Sequence, residues 1–172
     1  MLVITADDYG KSPDATDRIL ECYKKNRITS ASAMVFMEDS ERAAQLALDT
    51  GLEVGLHVNL TMPLTGGNVD SHLLDQNARV AAYLIKNRFN PLIYNPYLVG
   101  PVEALFKDQD KEFQRLYGRP PAFYNGHHHM HLCSNMLFAN LIPRGSRVRR
   151  TFSFSWGEKD LFNLMYRCML NN

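Results

Sequence analysis

Residues 124–132, YNGHHHMHL, hold four of the six histidines in this 172-residue chain. The run is internal, interrupted by Met130 and flanked by apolar Ala122, Phe123, Tyr124 and Leu132, unlike a purification tag, which sits at a terminus in a polar linker. In an extended segment alternate residues share a face, so His127, His129 and His131 are expected on one side and His128 with Met130 on the other. Clustered imidazoles repel one another when protonated and stay neutral most easily around a cation. A divalent site takes two or three histidine nitrogens and a carboxylate, with one position open for water. One aspartate of the Asp7–Asp8 pair, His57, and one or two of His127, His129 and His131 supply such a set. Water activated there attacks a carbonyl at neutral pH while a carboxylate takes its proton, which is amide or ester hydrolysis. Phosphate-binding glycine loops, nucleophile elbows and nucleotide fingerprints are absent from the sequence.

Each residue also has a plainer reading. Adjacent aspartates often cap backbone N–H groups in a turn. A lone strand histidine such as His57 is often a hydrogen-bonded core residue. In GLHVNLT the residues His57, Asn59 and Thr61 share a polar face, so Asn59 is expected to orient the His57 ring or contact substrate. Tyr9, Tyr94, Tyr97, Phe123 and Trp156 are candidates for flat aromatic stacking surfaces.

The elements that must position these groups alternate between strand and helix. The apolar run LVIT reads as a first buried strand feeding the polar ADDYG. Ser12-Pro13 reads as a helix N-cap and first position. Strands are expected over 28–36, 52–61 and AFYN (122–125), and a fifth within RVRRTFSFS (147–155). Helices are expected over 39–51, capped by Asp39 or Ser40 and ended by Gly51, over 75–87, over 101–117 ended by Gly118, and from a Ser134 cap to about Asn140. The stretch 62–74 reads as a long polar loop. This order favours α/β architecture on a parallel sheet. The three polar clusters then gather at the C-terminal edge of the strands, where such folds keep their active sites.

Composition sets the frame. With 45% hydrophobic and 22% charged residues the chain reads as one globular domain over 1–172. A net charge of +1 gives no electrostatic reason for a nucleic-acid or membrane partner. The run Arg144, Arg147, Arg149 and Arg150 reads as a solvated loop. Three cysteines without CxxC spacing point to reduced thiols and a cytoplasmic protein. The N-terminus reads as a strand and not as a signal peptide.

TADDYG, GLHVNLT and NGHHHMH, in that order over residues 2–132, resemble the YdjC-like carbohydrate deacetylases, which include chitooligosaccharide deacetylases. The combination is specific, although no single motif is. The resemblance implies a distorted (β/α) barrel, TIM-barrel-like and of the NodB/polysaccharide-deacetylase kind. It also implies one divalent metal ion, magnesium or zinc, and hydrolytic removal of N-acetyl groups from small sugars such as N-acetylglucosamine oligomers. By the same resemblance Asp8, His57 and His127 are the metal ligands and Asp7 the catalytic base, while His129 and His131 lie in the motif without an assigned role. Asn125 stands where the family usually has an acidic residue, so a carboxylate supporting a histidine is expected to be lost. A full barrel takes about 250 residues, so an incomplete barrel, truncated at its C-terminus, is expected. A two-fold homodimer should cover its open edge, with Leu161, Phe162, Leu164, Met165 and Leu170 as the likeliest cover. The alternatives are a non-catalytic metal- or sugar-binding homologue and a metal hydrolase of another amide or ester.

Overall fold

The computed structural model describes residues 2–150 and Met165. Among these, β1 (Thr5–Tyr9), β2 (Ser30–Ala33), β3 (Glu53–Val58) and β4 (Tyr124–Gly126) form one parallel sheet in sequential order. The helices are α1 (Pro13–Lys24), α2 (Ser40–Thr50), α3 (Ser71–Lys86), α4 (Val99–Tyr117) and α5 (Ser134–Phe138). The expected α/β class and parallel sheet are therefore present.

Local sequence explains most helix ends. Ser12 accepts a hydrogen bond from the Ala15 N–H at 3.3 Å, with Pro13 at the first position. Gly51 and Gly118 end α2 and α4 in the left-handed conformation. Two expected caps work differently. Asp39 occupies the cap position of α2, but its carboxylate is held by Arg42 at 2.8 and 2.9 Å. Cys133, not Ser134, precedes α5, and the Ser134 hydroxyl donates to the Leu92 carbonyl at 2.6 Å.

The two faces of the sheet differ in chemistry. Val54, Leu56 and Val58 are fully buried and join residues of α2, α3 and α4 in one core, each contributing roughly 1.5–3 kcal/mol. The alternate positions carry buried polar side chains instead: Ser30, Ser32, His57 and Asn125. A buried polar strip needs internal partners, and it forms the foundation of the site described below.

Three expectations about strands need correction. Leu2, Val3 and Ile4 lie outside β1 and are 76, 56 and 44% exposed, whereas Asp7 and Asp8 lie within the strand. An apolar run records a preference for burial; pairing with β2, aided by a 2.8 Å hydrogen bond between the Thr5 and Ser30 hydroxyls, decides where the strand forms. The histidine run is not extended: His127–Leu132 forms a tight 3₁₀ segment in which His128 (φ 52°) and His129 (φ 60°) are left-handed. The third strand stops at Val58, and Asn59 begins a loop. Of the expected fifth strand, Val148 makes one parallel bridge to Tyr124. Residues 151–155 and the proposed dimer cover, apart from an exposed Met165, lie outside the described residues.

Gln109 on α4 extends the order of β3 past its last residue. Its fully buried side chain accepts from the Asn59 N–H at 2.7 Å and donates to the Asn59 carbonyl at 2.9 Å. Gln109→Leu leaves both backbone groups buried and unpaired, and should destabilise the fold by about 2–4 kcal/mol in urea unfolding. A loss below about 1 kcal/mol would contradict this account of the β3–α4 contact.

Candidate metal centre

The first carboxylates come from a bulge in β1. Ala6 pairs with Ala31 and Tyr9 with Ala33, so Asp7 and Asp8 together stand opposite Ser32. Asp8 adopts φ 67°. Neighbouring side chains of a regular strand point to opposite faces; the bulge brings both carboxylates to one site. Asp8 Oδ1 lies 3.1 Å from His57 Nε2 and 3.3 Å from His127 Nδ1. The candidate ligand atoms of these three residues all lie within 4.8 Å of one another. His57 is 3% exposed and His127 12%.

The hydrogen bonds behind the triad fix which way its atoms are aimed. An ionised carboxylate only accepts. Asp7 Oδ1 accepts from Ser32 Oγ at 2.8 Å and from Asn125 Nδ2 at 3.0 Å, so the Asn125 amide must turn its Oδ1 the other way. That oxygen lies 2.7 Å from His57 Nδ1, which therefore carries the proton and donates. In the neutral ring the His57 Nε2 is then an unprotonated acceptor facing Asp8 Oδ1. Asp8 Oδ1 is itself buried and, among the described residues, receives no hydrogen bond. Two acceptors facing each other are unfavourable unless a cation lies between them. Metal–ligand bonds of about 2.0–2.2 Å allow ligand atoms to stand about 3 Å apart. The donor set of one carboxylate and two imidazoles fits a divalent ion.

The Asp8 carboxyl is held far below the usual carboxylate range by a donor or positive charge at the His127 and His57 nitrogens, and a cation between them would act in the same direction. Its other oxygen lies 3.4 Å from Lys11 Nζ. Burial opposes ionisation of Asp7, yet donation from Arg149 and Ser32 outweighs it and leaves the pKa lowered. The Arg149 contact, Nη1 to Asp7 Oδ2, measures 2.6 Å.

The remaining candidates are placed as follows. His131 is fully buried and lies away from the triad, with its Nε2 donating to the Arg149 carbonyl at 3.0 Å. His129 lies beside it, ring centroids 6.3 Å apart. His128 packs on His127 at 4.0 Å. Asn59 makes no hydrogen bond to His57. Its side chain accepts from Thr61 N and Met62 N and donates to the Met62 carbonyl, building the loop after β3. Of the aromatic residues, Tyr9 is a core residue bonded to the Ala43 carbonyl, whereas Tyr94 and Tyr97 are exposed. Phe123 packs under Gly55, and Trp156 lies outside the described residues.

Sequence reasoning missed Ser32, Lys11 and Arg149. Alternation of Ser30 and Ser32 in a small-residue strand was a usable signal for the first. Arg149 is no solvated member of a basic run, but nothing in its neighbourhood along the chain announces Asp7, 142 positions away. Asn125 replaces the expected acidic residue and still supports His57, with Asp7 standing behind it.

The model of one protein family, described as YdjC-like protein, matches residues 1–162. The chain belongs to the YdjC-like family. Among its relatives, a chitooligosaccharide deacetylase of Proteus mirabilis is 31% identical over 136 residues, 77% of this chain and 50% of the relative. A carbohydrate deacetylase of Mus musculus is 30% identical over 132 residues, 76% of this chain and 43% of the relative. The chain thus spans about half the length of the curated relatives it matches. A crystal structure from Enterococcus faecalis, of a protein named for proposed cellobiose-phosphate cleavage, superposes with a TM-score of 0.60 at 22% identity. It covers 80% of this chain and 52% of that one, a likeness of fold.

Two measurements test the centre. Asp8→Ala, His57→Ala and His127→Ala should each weaken binding of zinc or magnesium by more than about a hundredfold in calorimetry. Asn125→Leu, which keeps all three candidate ligands but removes the hydrogen bonds to His57 and Asp7, should weaken it about 10- to 100-fold. Equal affinities in all four variants would dissolve the distinction drawn here.

The second concerns His131, whose pKa burial pushes down to about 4. The unfolded imidazole takes a proton near pH 6.5. Its contribution to stability is therefore complete above that pH and falls as the pH drops toward 4, by about 3 kcal/mol at most. His131→Gln should flatten the stability profile over that window, and an unchanged slope would contradict the assignment.

Proposed function

We propose that this chain is, or forms the catalytic half of, a divalent-metal-dependent hydrolase that removes N-acetyl groups from small sugars, N-acetylglucosamine oligomers being the model substrate. The observation that carries this reading is the convergence of Asp8 Oδ1, His57 Nε2 and His127 Nδ1, with an ionised Asp7 alongside. The relatives named as chitooligosaccharide and carbohydrate deacetylases support it.

A bound divalent ion supplies Lewis acidity for an attacking water and for the acetyl carbonyl. Asp8, His57 and His127 would hold it, and Asn125, by accepting from His57 Nδ1, leaves the Nε2 lone pair available to it. Asp7 takes the proton of the attacking water. Its Oδ2 is the natural acceptor, since among the described residues it receives one hydrogen bond, from Arg149, whereas Oδ1 receives two. Transfer of that proton to the amide nitrogen as the C–N bond breaks yields acetate and a free amine. Asp7 is ionised at neutral pH, the state a general base requires, and its lowered pKa makes it a weak one.

The finer architecture belongs to the same reading. Four sequential parallel strands with a polar inner face suit an arc of a (β/α) barrel. Zinc suits an Asp/His₂ donor set, and magnesium is the alternative. A cytoplasmic location accords with Cys22 and Cys133, which form no disulfide among the described residues. Among the described residues no helix is long and apolar enough to cross a membrane. A homodimer would cover exposed apolar residues such as Leu2 and Val3.

The test is release of acetate from N-acetylglucosamine oligomers with and without zinc or magnesium. Asp7→Asn should keep metal affinity within about threefold of wild type while kcat falls about a hundredfold to ten-thousandfold. If Asp7→Asn loses the metal while Asp8→Asn keeps it, the two carboxylates have exchanged roles. Saturable metal and sugar binding without acetate release would favour a non-catalytic binding protein.

A further inference from the structure

We infer that Lys11 is a further catalytic residue of the proposed hydrolysis, donating a hydrogen bond to the negatively charged oxygen that develops on the acetyl group under attack. The inference rests on the reading of the centre as a deacetylase. Lys11 is placed by the turn that follows β1. Asp8 (φ 67°) and Gly10 (φ 82°) are both left-handed, and the Lys11 N–H donates to the Asp8 carbonyl at 3.2 Å. The turn is tight against its surroundings: a Cβ on Gly10 would stand 3.0 Å from the Met34 carbonyl oxygen. It folds Lys11 back over Asp8, where Nζ lies 3.4 Å from Oδ2.

Folding gives no reason for a cation here. Lys11 immediately precedes Ser12, the N-cap of α1, where a positive charge opposes the helix dipole. Its pair with Asp8 is long and the two side chains are 34 and 29% exposed, so it adds little to stability. An ammonium also opposes the binding of a divalent ion beside it. Its place on the open side of the triad supplies the reason. His57 and His127 are largely covered, whereas Asp8 meets solvent next to Lys11, so a substrate approaches on this side. Nζ carries three N–H donors and, among the described residues, has Asp8 as its one partner. The amide substrate is neutral, and its hydrolysis creates a transient anion. Attack by water on the acetyl carbon moves the carbonyl π pair onto oxygen, while the water proton passes to Asp7. The pair returns to C=O as the C–N bond breaks and the nitrogen takes that proton. Lys11 gives up no proton; it meets a charge that exists only in between, and so favours the transition state over bound substrate.

The experiment compares wild type, Lys11→Met and Lys11→Arg. Each is assayed for acetate release from N-acetylglucosamine oligomers, for thermal stability, and by calorimetry for zinc and magnesium affinity. Calorimetry on the zinc-loaded proteins also measures two ligands: N-acetylglucosamine, and glucosamine carrying a methylphosphonamidate, a tetrahedral anion, in place of the acetamide. Lys11→Met should lower kcat about 10- to 100-fold with KM within about threefold of wild type. It should weaken the phosphonamidate by a similar factor and leave N-acetylglucosamine affinity nearly unchanged, which a merely structural role would not do. Metal affinity and thermal stability should not fall, since the lysine opposes both the ion and the helix dipole. Lys11→Arg keeps the charge and should recover much of the lost kcat and phosphonamidate affinity. Wild-type kcat in Lys11→Met, equal weakening of both ligands, or a kcat loss that tracks weakened metal binding overturns the inference alone. No acetate release by the metal-loaded wild type overturns the deacetylase reading and this inference with it.

Discussion

The site depends on one carboxylate that can only accept hydrogen bonds. Because Asp7 Oδ1 receives the Asn125 amide N–H, the amide oxygen is committed to His57 Nδ1, and the far nitrogen of that ring is left to face Asp8 Oδ1. Every direction in this relay follows from the first. It runs across all four strands, from Asp7 on β1 through Ser32 on β2 and His57 on β3 to Asn125 on β4. The strip is buried except at Asp7, so the directions are enforced by the cost of leaving any member unpaired. An acidic residue at position 125 would set two carboxylates against each other across Asp7, and the amide avoids that repulsion.

Backbone departures from regular geometry make the relay possible. The bulge at Asp7–Asp8 and the left-handed Asp8 bring adjacent carboxylates to one place. The left-handed pair His128–His129 turns the chain so that His127 stays at the metal position while His131 enters the interior. Non-glycine residues held in sparsely populated backbone regions cost on the order of 1–3 kcal/mol each. Dense surroundings sustain them: the fully buried apolar face of β3, the Gln109 clamp on Asn59, and the seat of His131 under Gly126. Among the described residues three of the six left-handed non-glycine positions, Asp8, His128 and His129, lie at the candidate site; Asn26, Phe36 and Asn140 lie elsewhere.

Much of this was legible in the chain. Strand–helix alternation, the Ser12-Pro13 start and the Gly51 and Gly118 stops are local signals, and local chemistry decides them. Asp8, His57 and His127 could be named because motif order relates them to a family. Alternation failed where tertiary contacts override it: an extended histidine run would have put His129 and His131 beside His127, but burial of His131 requires the chain to turn. Asn59 looked like a partner of His57 by spacing, yet its amide closes its own loop. Arg149 was invisible because its meaning comes from a contact across the whole chain.

The most direct test is the protonation pattern of His57, read by ¹⁵N nuclear magnetic resonance of histidine-labelled protein titrated with zinc near neutral pH. The account predicts that the zinc-loaded ring keeps its proton at Nδ1, held by Asn125, while Nε2 carries none and its resonance moves on binding. A zinc-loaded ring that is protonated at Nε2, or a titration that leaves His57 Nε2 unmoved, would contradict the central claim.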